Sequence, residues 1–101
     1  MLLRLRKDHA ALRDGELWDI QWDRSSYTYA RVTKQERILV AFNAGSTEKQ
    51  LHITFAGTPL DMATDLVSLT RNQTGTHNIR IEMNHADLNI APNELQIFLA
   101  Q

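Results

Sequence analysis

Histidine is the residue type in this sequence best suited to hold a metal ion, and the chain has four of them. Zinc-type sites need their ligands at fixed short spacings. Only His85-Ala86-Asp87 comes near such a spacing, and its surroundings favour a turn. The other three histidines are isolated in the sequence: His9, His52 and His77. Because the chain also has no cysteine, thiolate ligands, thiolate nucleophiles and disulfides are excluded. We therefore expect no metal ion and no cofactor.

Four aromatic residues at alternating positions offer a different chemistry, the binding of a flat ligand. They are Trp18, Trp22, Tyr27 and Tyr29. A sugar ring stacks on an aromatic face, so the four could form a sugar-binding platform if the strand register placed them on one face. Aromatic residues at alternate strand positions also form cores, where each removes about 150–250 Å² from water. The sequence leaves both sugar contact and core or interdomain packing open.

The composition limits the chain to one domain and to a few classes of partner. Its 101 residues are enough for a single core. The 11 Lys and Arg residues nearly balance the 12 Asp and Glu residues, so no strong field attracts nucleic acid or an anionic membrane. The first residues are too charged for a signal peptide, and no apolar run approaches the ~20 residues that span a bilayer. We expect neither nucleic acid nor a membrane as a partner, and the cellular compartment stays open.

The first 14 residues predict a short α-helix that ends at Gly15. Apolar positions recur there at the three- to four-residue spacing of one helical stripe. The stripe consists of Leu2, Leu5, His9 and Leu12. No Ser, Thr, Asp or Asn caps the start of the helix, so we interpret it as the end of a larger structure and the stripe as an interdomain packing surface. Left bare, the stripe would either fold back on the rest of the chain or drive self-association.

After Gly15 the apolar pattern changes to the two-residue alternation of β-strands. About eight short runs follow, at 17–22, 27–32, 37–43, 51–55, 65–70, 79–83, 88–90 and 95–99. The run from Arg37 to Asn43 is apolar on both faces and is the candidate for a central strand. In the sixth run, alternation places Ile79, Ile81 and Met83 on the buried side. Turn signals about every eight to twelve residues favour an all-β, antiparallel sandwich.

The order of these segments resembles the C-terminal end of alpha-amylase-family glycoside hydrolases, of the maltodextrin glucosidase, cyclomaltodextrinase and neopullulanase kind. Residues Leu3–Gly15 are similar to the last helix of that family's catalytic barrel, with Ala10 where the family usually has Pro. Tyr27–Arg31 followed by Glu36–Asn43 is similar to an aromatic-rich strand that leads into a Val/Leu run ending in Asn. Two later segments resemble a further strand and the closing strand pair: Thr64–Val67 and Leu88–Leu99.

The resemblance implies that residues 1–14 are the last helix of a missing catalytic barrel and that residues 15–101 are a C-terminal Greek-key β-sandwich. It implies no catalytic residue in this chain, because the family's catalytic carboxylates lie on barrel strands before that helix. Glycoside hydrolysis needs two carboxyl groups roughly 5–9.5 Å apart across a cleft. The candidate carboxyl pairs lie where solvated turn or cap residues are expected: Asp61 with Asp65, and Asp14 with Glu16.

We therefore expect a non-catalytic domain that stabilises the barrel of a glycosidase acting on maltodextrin or related alpha-glucans, with that barrel as its partner. Two other functions stay open. The aromatic hairpin could make the chain an alpha-glucan-binding module, or the chain could be an unrelated immunoglobulin-like interaction domain. In all three cases the chain alone is not an enzyme.

Overall fold

The computed structural model describes residues 15–69 and 78–101, and every regular element in these ranges is a β-strand. Eight strands follow one another along the chain: β1 (Glu16–Trp22), β2 (Ser26–Val32), β3 (Arg37–Asn43), β4 (Lys49–Thr54), β5 (Asp65–Ser68), β6 (Ile79–Arg80), β7 (His85–Ile90) and β8 (Leu95–Ala100). The predicted all-β class and the strand number are confirmed for these ranges. The predicted helix over residues 1–14 lies outside the described residues.

The strands form two antiparallel sheets of unequal size. One sheet has six strands in the order β1-β2-β3-β8-β5-β6, and the other consists of β4 and β7. Strand β3 pairs with β2 on one side and with β8 on the other, which confirms the predicted central strand. Four consecutive residues of β3, at positions 38–41, are buried. Burial on both faces explains why that run lacks the alternation seen elsewhere.

The main core lies between the two sheets. Along β4, buried and exposed side chains alternate, as expected for a strand with one face against the core and the other in water. The central members of this core come from both sheets: Leu39, Ala41, Leu66 and Phe98 from the large sheet, and Leu51, Ile53, Leu88 and Ile90 from the small one. Burial of each large aliphatic side chain contributes roughly 1.5–3 kcal/mol, so this layer accounts for much of the folding free energy.

The turn between β1 and β2 is tied to the small sheet through Asp23. Its carboxylate accepts hydrogen bonds from the backbone N–H groups of Ser25 and Ser26, both at 2.8 Å. The same carboxylate pairs with the ammonium group of Lys49 at the start of β4. The Lys49 ammonium, together with the N–H groups, holds the pKa of the Asp23 carboxyl well below its usual range. A local Asx-type turn therefore also connects the two sheets.

The end of β3 is held by the side chain of Asn43, which is only 1% exposed. Its Nδ2 donates hydrogen bonds to the carbonyl oxygens of Thr47 at 2.9 Å and of Ile90 at 3.0 Å, and its Oδ1 accepts one from the N–H of Gly45 at 2.9 Å. Because Ile90 ends β7, this amide links the two sheets. A Cβ at Gly45 would lie 3.1 Å from the Asn43 Oδ1, so glycine leaves room for the contact.

A second buried polar group closes the turn between β7 and β8. Glu94 is 6% exposed, and its Oε1 accepts hydrogen bonds from the Ala91 N–H at 2.8 Å and from the Gln96 Nε2 at 2.9 Å. The same Gln96 nitrogen donates to the carbonyl oxygen of Asn89 at 2.8 Å. Buried polar groups are tolerated when they are hydrogen-bonded in this way. The network fixes the return of the chain into the large sheet.

Strand β6 is shorter than the sequence predicts, and the predicted burial of Met83 is wrong. Ile81 is buried as expected, but Met83 is 91% exposed. Met83 and Asn84 have φ angles of 50° and 67°, in the left-handed region, and Glu82 pairs with His85 across them. The chain thus reverses directly into β7, and a reversal ends the alternation on which the prediction rested.

Candidate functional site: the outer face of the large sheet

The six-stranded sheet has a second face, turned away from β4 and β7, that carries mostly apolar and aromatic side chains. Residues paired across antiparallel strands share a face, and Tyr29, Val40 and Ile97 are paired in this way across β2, β3 and β8. We call this surface the outer face. Its apolar and aromatic members are Leu17, Trp22, Tyr27, Tyr29, Ile38, Val40, Phe42, Val67, Leu69, Leu95, Ile97 and Leu99.

The middle of the outer face is a small apolar cluster of its own. Ile38, Val40 and Ile97 are 0%, 2% and 1% exposed. The partly buried residues packed against them are Tyr29, Leu69, Leu95 and Leu99. Each of these residues belongs to a strand of the large sheet or directly follows β5. The outer face is therefore a second apolar surface in addition to the core between the sheets.

The aromatic end of the outer face is an open depression of about 420 Å³. It is lined by Leu17, Tyr27, Tyr29, Arg31, Phe42 and Leu95. The rings of Tyr27 and Tyr29 lie 5.0 Å apart between centroids and are tilted by 32°. The lining combines apolar side chains with two tyrosine hydroxyls and one guanidinium group, a combination that suits a ligand with both apolar faces and polar groups.

Two tyrosine hydroxyls of this depression have raised pKa values for different reasons. Tyr27 donates a hydrogen bond to the carboxylate of Asp19, which raises the pKa of Tyr27 to about 12. Burial raises the pKa of Tyr29. Both hydroxyls are therefore neutral donors at neutral pH.

The structure places three of the four aromatic residues singled out from the sequence on the outer face and the fourth on the opposite one. Trp22 pairs with Tyr27, next to Tyr29, whereas Trp18 pairs with Ala30, a residue of the core. A β-bulge between Asp19 and Gln21 causes the separation, because the extra residue reverses the alternation along β1. Trp18 and Trp22 are 43% and 67% exposed, so both indoles contact solvent.

The carboxylates considered from the sequence do not form a catalytic pair. Asp61 is exposed and accepts a hydrogen bond from the Asn84 Nδ2 at 2.6 Å. Asp65 lies at the start of β5, where its register partner is Arg80. Glu16 is exposed at the start of β1, and Asp14 lies outside the described residues.

Two histidines meet on the solvent side of the small sheet. The rings of His52 and His85 stack with centroids 5.1 Å apart. The His52 Nδ1 lies 2.5 Å from the Asp87 Oδ1, and the His85 Nδ1 lies 2.9 Å from the Thr54 Oγ1. Within residues 15–69 and 78–101, no group of three or more His, Asp or Glu side chains could hold a metal ion. His9 and His77 are outside these ranges.

The predicted interdomain packing residues lie outside the described residues. They are Leu2, Leu5, His9 and Leu12. Their packing against a neighbouring domain therefore stays a prediction. In the part of the chain that the structure describes, no helix is long and apolar enough to cross a membrane.

Sequence reasoning missed the buried polar residues that close the ends of the sandwich, namely Asn43, Glu94 and Gln96. The sequence marks Asn43 only as the end of an apolar strand, and nothing local in it marks Glu94 or Gln96 as buried. The one available signal was the interruption of apolar runs by polar residues that no turn requires. That signal does not identify the hydrogen-bond partner of each polar side chain, because the partner depends on how the two sheets approach each other.

Comparison of the sequence with protein-family models finds no match, and comparison with curated proteins finds none either. Comparison of the structure with solved structures does find matches. Alpha-amylase from Geobacillus thermoleovorans, complexed with acarbose, superposes with a TM-score of 0.83 at 18% identity, over 96% of this chain and 20% of that one. A variant of AmyP in complex with maltotriose gives a TM-score of 0.81 at 20% identity, over 98% and 19% of the two chains.

Isomaltulose synthase from Klebsiella sp. LX3 matches with a TM-score of 0.72 at 19% identity, over 98% of this chain and 16% of that one. The chain has the fold of one part of these enzymes. It spans about a fifth of their length or less. At these identities the likeness shows the fold, and the enzymes' activities belong to chains several times longer than this one.

Proposed function

We propose that this chain is a non-catalytic C-terminal β-sandwich domain of an alpha-amylase-family glycosidase that acts on maltodextrin or related alpha-glucans, and that it stabilises the catalytic barrel. One observation carries the proposal: nearly the whole chain superposes on enzymes of this kind, but on only 16–20% of their length. A domain that corresponds to so small a share of an enzyme's length fits a supporting role better than a catalytic one. The sequence resemblance to the C-terminal end of the same family supports the same assignment.

The chemistry of the described residues also supports a supporting role. Glycoside hydrolysis by two carboxyl groups needs them to face each other across a cleft. Asp61 and Asp65 are instead engaged in a loop contact and at a strand start. The outer face carries mostly aliphatic and aromatic side chains, which contribute contact area and no general acid or base. Such a surface suits packing against other apolar side chains and does not suit acid–base catalysis.

The isolated chain provides the first test. Maltooligosaccharides incubated with it should stay intact, as followed by chromatography, with heat-treated chain as the control and an authentic alpha-amylase to show that the assay works. Release of glucose or maltose above the heat-treated control would contradict the proposal. The coding sequence ahead of Met1 gives a second test, because it should encode barrel strands with paired carboxylates.

The stabilising role has its own measurement. The parent enzyme should be produced with and without residues 16–101, and its thermal unfolding followed by its activity after heating. We expect the shortened enzyme to lose activity at a lower temperature, because it would expose surface that this domain covers. Equal thermal stability of the two forms would refute the role while leaving the family assignment intact.

Sugar binding is a second candidate function, favoured by the placement of Trp22, Tyr27 and Tyr29 on one face beside an open depression. Titration with maltoheptaose should then change the tryptophan fluorescence in a saturable way. The Trp22→Ala variant should lose this response. Trp18→Ala is the matched control, because Trp18 lies on the opposite face and its loss should leave the affinity unchanged. Absence of a response up to millimolar maltoheptaose would rule this function out.

A further inference from the structure

The burial of the outer face requires a covering layer. Side chains stand roughly perpendicular to a sheet, so the ends of those on an uncovered face remain in contact with water. On the inner face, the small sheet provides the cover. On the outer face, Ile38, Val40 and Ile97 are no more than 2% exposed, yet within residues 15–69 and 78–101 the partly buried side chains packed beside them come from the large sheet or directly follow β5. Neighbours in the same sheet cover the flanks of a side chain and leave its end open.

Two segments of this chain lie outside the described residues, 1–14 and 70–77. The second reads Thr-Arg-Asn-Gln-Thr-Gly-Thr-His and contains no aliphatic or aromatic hydrocarbon side chain. The first contains leucine at positions 2, 3, 5 and 12, in the spacing of an apolar helical stripe. Only the first has the chemistry to cover an aliphatic cluster.

The length of residues 1–14 and the point at which they join the described chain also allow them to reach this cluster. The segment joins the described chain at Gly15, which is buried and directly precedes the edge strand β1. Neighbouring strands lie about 4.8 Å apart, so β8, three strands from β1, is roughly 14 Å away. A helix of 14 residues is about 21 Å long. A segment that starts at β1 can therefore cross β2, β3 and β8.

We propose that residues 1–14 cover the middle of the outer face, with the stripe of Leu2, Leu5, His9 and Leu12 against Ile38, Val40 and Ile97. The segment is then a third layer of this domain. This placement is an alternative to the interdomain packing expected for the stripe from the sequence, because the stripe would face this sheet and not another domain. The inference goes beyond the proposed function, because the cover is supplied within the chain whether or not a barrel precedes it. The aromatic depression at the end of the face lies beside this cover and stays open.

Paramagnetic labelling tests the contact directly. The chain has no cysteine, so Lys7→Cys, on the side of the predicted helix away from the stripe, accepts a single nitroxide label. We expect the NMR methyl signals of Ile38, Val40 and Ile97 to lose intensity, and those of Ile53, in the small sheet, to lose much less. Equal loss at all four residues, or none, would overturn the proposal.

The same label distinguishes a second copy of the chain from the chain's own segment. Spin-labelled chain without isotopes is mixed with isotope-labelled chain that carries no nitroxide. Under the proposal, the methyl signals of the outer face are unchanged in this mixture. Loss of intensity there would show that another molecule covers the face, and it would overturn the assignment to residues 1–14 of the same chain.

A pair of charge substitutions provides an independent test. Leu5→Glu places a carboxylate in the stripe, and Arg4→Glu places the same group on the other side of the predicted helix. Leu5→Glu should lower the ratio of folded to unfolded chain at least about tenfold in urea titration, because it removes apolar contact with the face. Arg4→Glu should change it much less. Equal effects of the two substitutions would contradict the proposal, and if Leu5→Glu does not fold, the labelling experiment still decides.

Discussion

Replacing Asn43 with alanine removes the side-chain amide that joins the end of β3 to the following turn and to β7. In the structure this amide donates to the carbonyl oxygens of Thr47 and Ile90 and accepts from the N–H of Gly45, at 2.9, 3.0 and 2.9 Å. The truncation removes one hydrogen-bond partner from each of these three groups. Ile90 is fully buried, so water does not readily replace the bond to its carbonyl.

The size of the effect follows from the number of bonds lost. Each hydrogen bond contributes about 0.5–1.5 kcal/mol net, and an unsatisfied buried group costs about 1–3 kcal/mol. We therefore expect Asn43→Ala to lower the free energy of unfolding by about 3 kcal/mol. In a domain of this size, about 1 kcal/mol shifts the Tm by about 4–8 °C, so the Tm should fall by about 12–24 °C.

Urea unfolding followed by tryptophan fluorescence and by circular dichroism measures this loss. Asn89→Ala is the matched control, since Asn89 is exposed and only its backbone carbonyl joins the Gln96 contact, so its effect should be within about 0.5 kcal/mol. Asn43→Asp should destabilise at least as much as Asn43→Ala, because a carboxylate oxygen would face the two carbonyl oxygens. The reasoning is refuted if Asn43→Ala is no more destabilising than the control, or if Asn43→Asp is as stable as the wild type.

Three further predictions concern single polar groups. The hydroxyl of Thr28 is buried and has no hydrogen-bond partner among the described residues, so Thr28→Val should raise the free energy of unfolding by about 1 kcal/mol in urea titration; a loss would show an unrecognised partner. The lowered pKa of Asp23 means that its contribution to stability is present above about pH 4 and lost as the pH falls below it. Lys49→Met should therefore flatten the fall in urea midpoint on acidification, and an unchanged slope would contradict the pairing. The hydrogen bond to Asp19 raises the pKa of Tyr27, so its contribution to stability is complete below about pH 10 and lost as the pH rises to about 12. Asp19→Asn should shift one tyrosine to ordinary ionisation in an ultraviolet absorbance titration, and unchanged ionisation would mean that the contact does not form.

Much of the secondary structure could be predicted from the sequence. Arg37–Asn43 was predicted as a strand with the bounds that the structure shows, and the runs at 27–32 and 95–99 each differ from β2 and β8 by one residue. Alternation works for these strands because it records which side chains face the core and which face water, and each residue carries that information locally. The resemblance to the end of alpha-amylase-family enzymes agrees with the fold that the solved structures share.

The candidate site was less predictable. The sequence places all four aromatic residues on strands, as the structure does, but the bulge between Asp19 and Gln21 puts Trp18 on the face opposite Trp22. One extra residue in a strand changes every later side-chain direction. Met83 shows the same weakness, because two residues in the left-handed region turned the chain before its alternation could continue.

The sequence by itself determined that the chain forms antiparallel strands around one core, with 37–43 at the centre, because alternating burial is a property of neighbouring residues. Only the tertiary structure decided that β8 inserts between β3 and β5, and that the Asn43 amide bonds to Ile90, 47 positions away. It also decided that the large sheet has a second apolar face in addition to the core. These features depend on how strands distant in sequence pair and on how the two sheets approach each other. The free energy of such a contact depends on both residues that make it, so the local sequence around either residue does not specify it.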